Sequence, residues 1–258
     1  METRGKPRII PERLREGREA RGFSVARLAE TIGVTRQAVA QFETGRTLPS
    51  AETFEKICDL LRLPVTFFIS PPFSARMEGR TVFFRSLKKA HADDRNLYKT
   101  RLAWLQDIVA YLEQFIDFPK VNIPEAILAD ELNWADPGAI ERAANALRQA
   151  WGLGKGPLPN LTALLEANGI IIAKEKMQSG SLDGLSCWQM GRPVILLNMG
   201  DNSAVRSRMD AAHELGHMVL HNDVELTSEN IAAIERQAFR FASAFLMPAE
   251  SFAQEVYS

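Results

Sequence analysis

Residues 8–69 repeat apolar positions with the period of short α-helices. Apolar side chains recur three or four residues apart, as Leu28, Ile32, Val39 and Phe42 do, and this spacing places them on one face of a helix. Residue types that cap helix N-termini precede these runs, and glycines follow where the helices are expected to stop. The pattern predicts four helices, namely Pro11–Arg21, Val25–Ile32, Thr35–Glu43 and Ser50–Leu61.

A long helical pattern follows a Ser-Pro-Pro break and a basic stretch over residues 74–95. Proline has no backbone N–H, so the break ends the first set of helices. The predicted apolar face of the long helix consists of Leu97, Leu102, Leu105, Ile108, Leu112 and Phe115. Trp104 and Tyr111 on this helix are interpreted as packing residues, and the proline-containing residues 118–137 as a linker.

From Gly138 onwards the pattern mixes helices with short strands. Gly169 leads into the strand-like run Ile170–Ile172, and two more strands are predicted at Leu185–Gln189 and Val194–Asn198. The predicted helices around them are Ala139–Trp151, Leu161–Asn168, Ala204–His221 and Thr227–Phe245. The chain is therefore expected to be α+β and predominantly helical, with an all-α N-terminal domain and a small sheet in its C-terminal domain.

Charge divides the chain of 258 residues into two unlike halves. Residues 1–104 carry 20 Lys and Arg against 12 Asp and Glu, a net charge of +8. Residues 105–258 carry 11 against 20, a net charge of −9, and the two halves give the overall −1. The positive excess predicts that the N-terminal half faces a polyanion.

Composition narrows the class of protein. With 46% hydrophobic and 24% charged residues, the chain is neither a disordered chain nor a collagen or coiled-coil rod. No apolar run is long enough to span a membrane, and the N-terminal residues lead into no apolar signal-peptide core. Cys58 and Cys187 form no disulfide framework. We therefore expect a cytoplasmic protein with no membrane partner.

Residues 25–43 have the spacing of a helix-turn-helix. A small alanine in the first helix allows the two helices to cross closely, and Gly33 provides the turn. The second helix presents Arg36, Gln37 and Gln41 outward. Arginine can bind guanine through two hydrogen bonds in the major groove, and glutamine can bind adenine likewise.

This segment resembles the phage-repressor-like (Cro-like, XRE) helix-turn-helix family over residues 8–69. The resemblance implies that the protein binds double-stranded DNA, and we expect a homodimer that reads half-sites about 34–36 Å apart. The residues implied to face DNA are Thr35, Arg36, Gln37 and Gln41, with Arg46 near a phosphate. The alternative is a helical domain that serves only dimerisation or protein contacts.

Residues 213–217 read HELGH, an HExxH motif inside a predicted helix. His213 and His217 are four residues apart and so lie on one helix face, as two ligands of a single zinc ion require. Glu214 can act as the general base for water, whose pKa zinc lowers to about 7. Glu235 lies on the next predicted helix, where alanines permit close packing, and it is a candidate third ligand.

His221 lies four residues past His217 and near the same helix face. It is a rival candidate for the third metal ligand. Alternatively, it donates a hydrogen bond to one of the ligands or to the transition state. It can also be only a helix-terminal histidine near the C-terminal dipole. We favour Glu235 as the third ligand. Cys187 is interpreted as a packed thiol, because the sequence places no histidine beside it.

Residues 136–250 resemble the ImmA/IrrE family of zinc metallopeptidases. Besides the HELGH helix, the similar runs are Glu141–Ala144, Trp151–Gly154, Gly156–Asn160, Asp183–Ser186, Pro193–Asn198 and Phe245–Pro248. The resemblance implies a gluzincin-like site in which His213, His217 and Glu235 bind Zn²⁺ and Glu214 is the base. It also implies site-specific cleavage of a repressor or antitoxin, which derepresses genes.

Two further expectations concern the substrate and the end of the chain. Val194–Asn198 is expected to be an edge strand to which a substrate peptide adds as a further strand, and the alternative is an ordinary core strand. Many members of the resembled family continue with further helices after the Leu-Met-Pro segment. We therefore expect either a short variant or a sequence truncated at Ser258.

The patterns divide the chain into three segments. These are a helix-turn-helix domain at 1–70, a basic stretch, long helix and linker at 71–135, and an ImmA/IrrE-like metallopeptidase domain at 136–258. The leading hypothesis is a DNA-binding transcriptional regulator whose zinc endopeptidase cleaves a repressor or antitoxin-type protein, or itself. The alternative is a non-catalytic regulator or antitoxin whose peptidase-like domain is a sensor or protein-interaction module. A third hypothesis is a toxin–antitoxin component that acts by sequestration.

Overall fold

The fold is known from a computed structural model. It describes residues 8–71, 92–128, 136–177, 183–189, 191–200, 203–221, 224 and 227–251. Most of the predicted basic stretch lies outside these residues. The described residues form two compact units, one helical and one with a small sheet, which confirms the predicted α+β, predominantly helical fold. No described helix combines the length and apolar character needed to cross a membrane.

The first unit is all-α. Its helices are α1 (Pro11–Ala20), α2 (Val25–Ile32), α3 (Arg36–Glu43), α4 (Ala51–Leu61), α5 (Val65–Ile69) and α6 (Ala92–Leu112). The first four lie where the sequence predicts them, because Ser24, Thr35 and Ser50 each accept a backbone hydrogen bond at a helix start. Gly33 ends α2 at a φ of 76°, a left-handed conformation that suits glycine.

A buried ion pair joins α1 to α3. Arg18 donates to the two carboxylate oxygens of Glu43, through Nε at 2.6 Å and Nη2 at 2.9 Å. Its Nη1 donates to the carbonyl of Phe23 at 2.8 Å. The Arg18 and Glu43 side chains are only 8% and 9% exposed. Because the pair is bidentate and shielded from water, it holds α3 at a fixed place on α1.

The apolar face predicted for α6 is only partly correct. Leu97 and Leu102 are buried as expected. Ile108, Leu112 and Phe115 are instead exposed, at 56%, 37% and 68%, and Phe115 lies beyond the helix end. The spacing of apolar residues therefore predicted the helix correctly. For the second half of the helix, however, it predicted the wrong face to be buried.

Contacts with α1 decide which face of α6 is buried. Arg101 Nε donates to the carbonyl of Ala20 at 2.7 Å, and Trp104 Nε1 donates to Glu16 Oε1 at 2.6 Å. The Trp104 ring also packs edge-on against Phe67, with ring centroids 5.5 Å apart. Trp104 is therefore a packing residue, as interpreted from the sequence. The same interpretation is wrong for Tyr111, which is 53% exposed.

The second unit contains helices and one three-stranded sheet. Its helices are α7 (Glu125–Leu128), α8 (Pro137–Ala150), α9 (Leu161–Ala167), α10 (Ala204–Leu220) and α11 (Ile231–Leu246). Its strands are β1 (Ile171–Glu175), β2 (Gly184–Gln189) and β3 (Arg192–Asn198). All of these except the short α7 were predicted. Ile123 and Ile127, from the segment interpreted as a linker, lie in the core of this unit.

The order of the strands overturns one expectation. The sheet runs β1-β3-β2, with β1 parallel and β2 antiparallel to β3. The prediction that Val194–Asn198 is an edge strand is wrong, because Ile195 pairs with Ile172 on one side and Ser186 on the other. Its continuous buried apolar run is typical of a strand covered on both faces. Within the described residues, β2 is an outer strand, and it packs against α10.

A buried arginine fixes the end of α11. Arg148, on α8, is 3% exposed and donates from Nη1 to the carbonyl of Phe245 at 2.6 Å. Its Nη2 donates to Gly156 O at 2.7 Å, and its Nε donates to Gly154 O at 3.1 Å. Carbonyls in the last turn of a helix lack intrahelical partners. Arg148 donates a hydrogen bond to one of these carbonyls and thereby holds α11 to α8.

Removal of Glu43 should destabilise the first unit. We expect Glu43→Ala to lower the free energy of unfolding by about 3–5 kcal/mol, because it removes the carboxylate that binds the buried Arg18 guanidinium through two hydrogen bonds. Urea denaturation of the full chain, followed by fluorescence of the α6 residue Trp104 in a variant without the other tryptophans, measures this change. Lys56→Ala is the control, since it removes only an exposed pair with Glu52. Equal midpoints for Glu43→Ala and the parent would contradict the expectation.

Candidate functional site

Helix α10 carries the HExxH residues of the second unit. Ser203 starts the helix by accepting a hydrogen bond from Arg206 N. His213 and His217 then lie one turn apart, with their Nε2 atoms 3.0 Å from each other and their ring centroids 4.6 Å apart. His217 is 8% exposed. Two ring nitrogens thus converge on one point beside the helix.

Glu235 on α11 completes a cluster of three donor groups. Its carboxylate oxygens lie 3.6 Å from His213 Nε2 and 3.8 Å from His217 Nε2. One donor atom from each residue lies within 4.8 Å of the others. Tetrahedral zinc with bonds of about 2.0–2.1 Å separates its ligand atoms by about 3.3 Å. The two nitrogens, the oxygen and their spacing therefore fit a zinc ion.

A glycine permits the close approach of the two helices that supply these donors. A Cβ atom at Gly216 would lie 2.9 Å from the carbonyl oxygen of Ala238 and 3.2 Å from its Cα. Ala238 and Ala242 on the facing side of α11 are completely buried. Small residues on both helices allow their backbones to come into contact. This close packing was predicted from the alanines in the sequence of α11. His217 and Glu235 can reach each other because of this contact.

Glu214 points to the sheet side of α10. Its carboxyl is 5% exposed, and Ser186 on β2 donates its hydroxyl hydrogen to Oε2 at 2.5 Å. Burial raises the pKa of Glu214 to about 7, and the negative charges of Glu235 and Asp210 also raise it. The charge of His213 and the hydrogen bond from Ser186 act in the opposite direction. A carboxyl group in this environment can both accept and release a proton near neutral pH.

The surroundings of His213 favour a cation. Burial lowers the pKa of His213, but the hydrogen bond with Glu235 and the charges of Glu214, Glu235 and Asp210 outweigh it, so the pKa is raised overall. Burial also raises the pKa of Asp210 itself. Carboxyl groups that favour a protonated imidazole favour a bound divalent cation for the same electrostatic reason.

The residues predicted to face DNA lie on or beside α3 in the first unit. Arg36 and Gln37 are exposed in the first turn, and Gln41 is half-buried one turn later. Thr35 caps the helix by accepting a hydrogen bond from Ala38 N at 3.1 Å. Arg46 is exposed in the turn that follows the helix. The exposed side of α3 therefore carries two side chains that can reach the edges of bases.

Comparison with known proteins gives a family to each unit. Residues 14–68 match the helix-turn-helix family, and residues 165–258 match the IrrE N-terminal-like domain of the peptidase M78 family. The chain joins a helix-turn-helix domain to an M78 peptidase domain. Both resemblances seen in the sequence are thereby confirmed, and the two domains are called by these names below.

Two curated relatives are each similar to about a quarter of this chain. The HTH-type transcriptional regulator SutR of Escherichia coli is 40% identical over 68 residues, which are 26% of this chain and 38% of the relative. The SPbeta prophage-derived uncharacterized HTH-type transcriptional regulator YonR of Bacillus subtilis is 33% identical over 61 residues, 24% of this chain and 56% of the relative. The matched segment thus spans about half or less of these relatives. No solved structure gives a significant match.

A cavity adjoins the three donor groups of the M78 domain. Its volume is about 1130 Å³, and His213 and Glu235 form part of its wall. The side chains around it are otherwise mainly apolar and include Ile140, Phe239 and Met247. Phe239 and Met247 are more than half exposed. The M78 domain therefore offers an apolar surface beside the candidate metal site, large enough for several side chains of another polypeptide.

His221 lies behind His217 in the M78 domain. Its Nδ1 is 3.3 Å from His217 Nδ1, on the opposite side of that ring from Glu235, and its Nε2 is 2.9 Å from Gln237 Oε1. The described cluster of donors contains Glu235 and not His221. Gln237 could not be recognised from the sequence, because nothing in its spacing from Glu235 or His221 indicates that it lies beside the site.

Cys187 is a packed thiol, as the sequence analysis interpreted it. It lies on β2, is 4% exposed, and pairs across the sheet with Val194. Burial raises the pKa of its thiol to about 12, and the charge of Glu214 adds to this effect. A thiol of such a pKa stays protonated at neutral pH and is a poor nucleophile.

Substitution of Gly216 should separate the two ligand-bearing helices. We expect Gly216→Ala to lower the free energy of unfolding by about 1–3 kcal/mol through overpacking and to weaken zinc binding, because the added methyl group meets the backbone of Ala238. Urea denaturation and zinc titration of the same samples measure the two effects. Gly154→Ala is a matched control, since a Cβ at Gly154 meets open space. Unchanged zinc affinity in Gly216→Ala would show that the crossing does not set the site.

Proposed function

We propose that this protein is a DNA-binding transcriptional regulator whose M78 domain is a zinc-dependent endopeptidase. The observation that carries the proposal is the convergence of His213, His217 and Glu235 within 4.8 Å beside the buried carboxyl of Glu214. The adjoining apolar cavity gives a polypeptide a place to bind. Site-specific cleavage of a repressor or antitoxin-type protein, or of the chain itself, is the activity that best unites the two domains.

The ligands and the base have separate tasks in this proposal. His213, His217 and Glu235 would hold the zinc ion, which when bound polarises the peptide carbonyl and lowers the pKa of water. Ser186 holds Oε2 of Glu214 by its hydrogen bond of 2.5 Å. Oε1 of Glu214 then accepts the proton of the attacking water as the new C–O bond forms. The same oxygen releases that proton to the amine nitrogen as the C–N bond breaks.

We propose that the substrate peptide pairs with strand β2, and not with β3, as an additional strand of the sheet. Strand β2 is an outer strand among the described residues, and it carries Ser186 on the face towards Glu214. An extended peptide paired with β2 would run past the ligands with its carbonyls in hydrogen bonds to the strand. Apolar side chains of that peptide would enter the cavity around Phe239 and Met247.

The helix-turn-helix domain supplies the regulatory part of the function. We propose that a homodimer binds double-stranded DNA in the cytoplasm, with Arg36, Gln37 and Gln41 at the base edges. Thr35 and Arg46 lie at the two ends of this surface, where phosphates are expected. The exposure of Arg36 and Gln37 supports these roles, and so does the similarity to two proteins named as HTH-type transcriptional regulators.

Replacement of the general base should abolish cleavage and leave zinc bound. We expect Glu214→Gln to slow proteolysis by about 10²–10⁴-fold, as the loss of a general base does. The assay mixes the zinc-loaded chain with the helix-turn-helix repressor encoded by the neighbouring gene and follows fragments by mass spectrometry. Glu166→Gln on the exposed face of α9 is the control. Equal cleavage by Glu214→Gln would exclude this base, and zinc binding without any cleavage would favour the non-catalytic alternative.

Loss of Arg36 should weaken sequence-specific DNA binding. We expect Arg36→Ala to cost about 1–3 kcal/mol of binding free energy, the range for one bidentate base contact. The probe is a duplex selected from random sequences by the parent protein, and the measurement is fluorescence anisotropy at fixed salt. Arg142→Ala, on the M78 domain, removes the same charge without touching α3. Binding by Arg36→Ala that is as tight and as selective as the parent's would contradict the assignment of α3.

A further inference from the structure

We infer that Gln237 and His221 are positioning residues that hold His217 in the tautomer whose Nε2 lone pair faces the donor cluster. The inference rests on the proposed metal site. It starts, however, from an amide oxygen outside that site. The chain of contacts runs from Gln237 on α11 through His221 at the end of α10 to His217.

Gln237 decides where His221 carries its proton. The atom that faces His221 Nε2, at 2.9 Å, is Gln237 Oε1, and an amide oxygen only accepts hydrogen bonds. His221 Nε2 is therefore the N–H donor. In a neutral imidazole the other ring nitrogen then has a lone pair and no hydrogen. His221 thus presents an acceptor at Nδ1.

His221 in turn decides where His217 carries its proton. The two Nδ1 atoms are 3.3 Å apart, and one of them must donate. Because His221 Nδ1 is the acceptor, His217 Nδ1 carries the hydrogen. His217 Nε2 is left with its lone pair, and this atom lies 3.0 Å from His213 Nε2 and 3.8 Å from Glu235 Oε1. The lone pair therefore points into the donor cluster, where a metal ligand must have it.

Burial makes this arrangement selective. His221 is 1% exposed and His217 is 8% exposed, so solvent cannot easily replace either hydrogen bond. In the opposite tautomers, His221 Nε2 would face the amide oxygen without a hydrogen between them. Among the described residues, His213 Nδ1 has no hydrogen-bond partner. Of the two HExxH histidines, His217 is thus the one whose tautomer is set by a hydrogen bond at Nδ1.

The same contacts tie the two ligand-bearing helices together. Gln237 is adjacent to Ala238, the residue whose backbone approaches Gly216 most closely. The hydrogen bond between His221 and Gln237 therefore links the end of α10 to α11, one residue along α11 from that close approach. A change at Gln237 should affect the ligand atom of His217 although Gln237 does not belong to the donor cluster.

Two substitutions of Gln237 separate this role from simple packing. Gln237→Leu removes the acceptor, whereas Gln237→Glu keeps an oxygen that can only accept. We expect Gln237→Leu to weaken zinc binding about 10–100-fold, as loss of a partner behind a ligand does. Gln237→Glu should bind zinc at least as tightly as the parent. The measurement is competition for zinc between the full-length protein and a chromogenic chelator, with Gln149→Leu on the exposed face of α8 as the control.

Nitrogen NMR of the zinc-free parent tests the tautomers without any variant. With ¹⁵N-labelled histidine, above the ordinary pKa of imidazole, the protein should show a protonated Nδ1 at His217 and a protonated Nε2 at His221. This result is independent of peptidase activity, so it can succeed even where the proposed function fails. The reverse tautomers, an unchanged zinc affinity in Gln237→Leu, or an equally weakened Gln237→Glu would each overturn the inference.

Discussion

The crossing of α10 and α11 is the contact on which the candidate site depends. Two candidate ligand side chains come from one helix and the third comes from the other, so the spacing of the donor atoms depends on how closely the two helices approach. At Gly216 and Ala238 the helices are too close for a side chain at position 216, since an added Cβ would lie 2.9 Å from a carbonyl oxygen. The rest of the M78 domain holds this crossing from three sides. Arg148 fixes the C-terminal end of α11, Gln237 and His221 bridge the middle, and β2 supports α10 through Ser186.

Features governed by neighbours in the chain were predictable from the sequence. Thr35 caps α3 and Gly33 ends α2, because both depend on local backbone geometry. The pairing of His213 with His217 follows directly from four-residue spacing on a helix. Glu235 was a candidate third ligand from its place on the next predicted helix, and the family resemblance implied the same role. The structure places it beside both histidines, and its role in metal binding stays a prediction.

Features governed by distant parts of the chain were not predictable. Ser186 meets Glu214 only because β2 lies against α10, and Gln237 meets His221 only because α11 crosses α10 at one angle. The central place of β3 depends on which strands flank it, whereas its apolar run alone suits either position. The same limit explains the face of α6, where contacts with Glu16 and Ala20 selected a different set of buried residues from the leucine spacing.

The ion pair between Arg18 and Glu43 also affects the electric field at the surface of α3 that we propose to face DNA. Glu43 is the last residue of α3, and an acidic group there would ordinarily repel phosphates near the helix. Its carboxylate is turned inward and is matched by a guanidinium on α1. The guanidinium of Arg18 offsets the charge of Glu43, so this acid lowers the positive potential around the exposed Arg36 less than an unpaired carboxylate would. If substitution of Glu43 changes the affinity for DNA, the cause would accordingly be a change in the electrostatic potential or the position of α3, and not the loss of a contact with DNA.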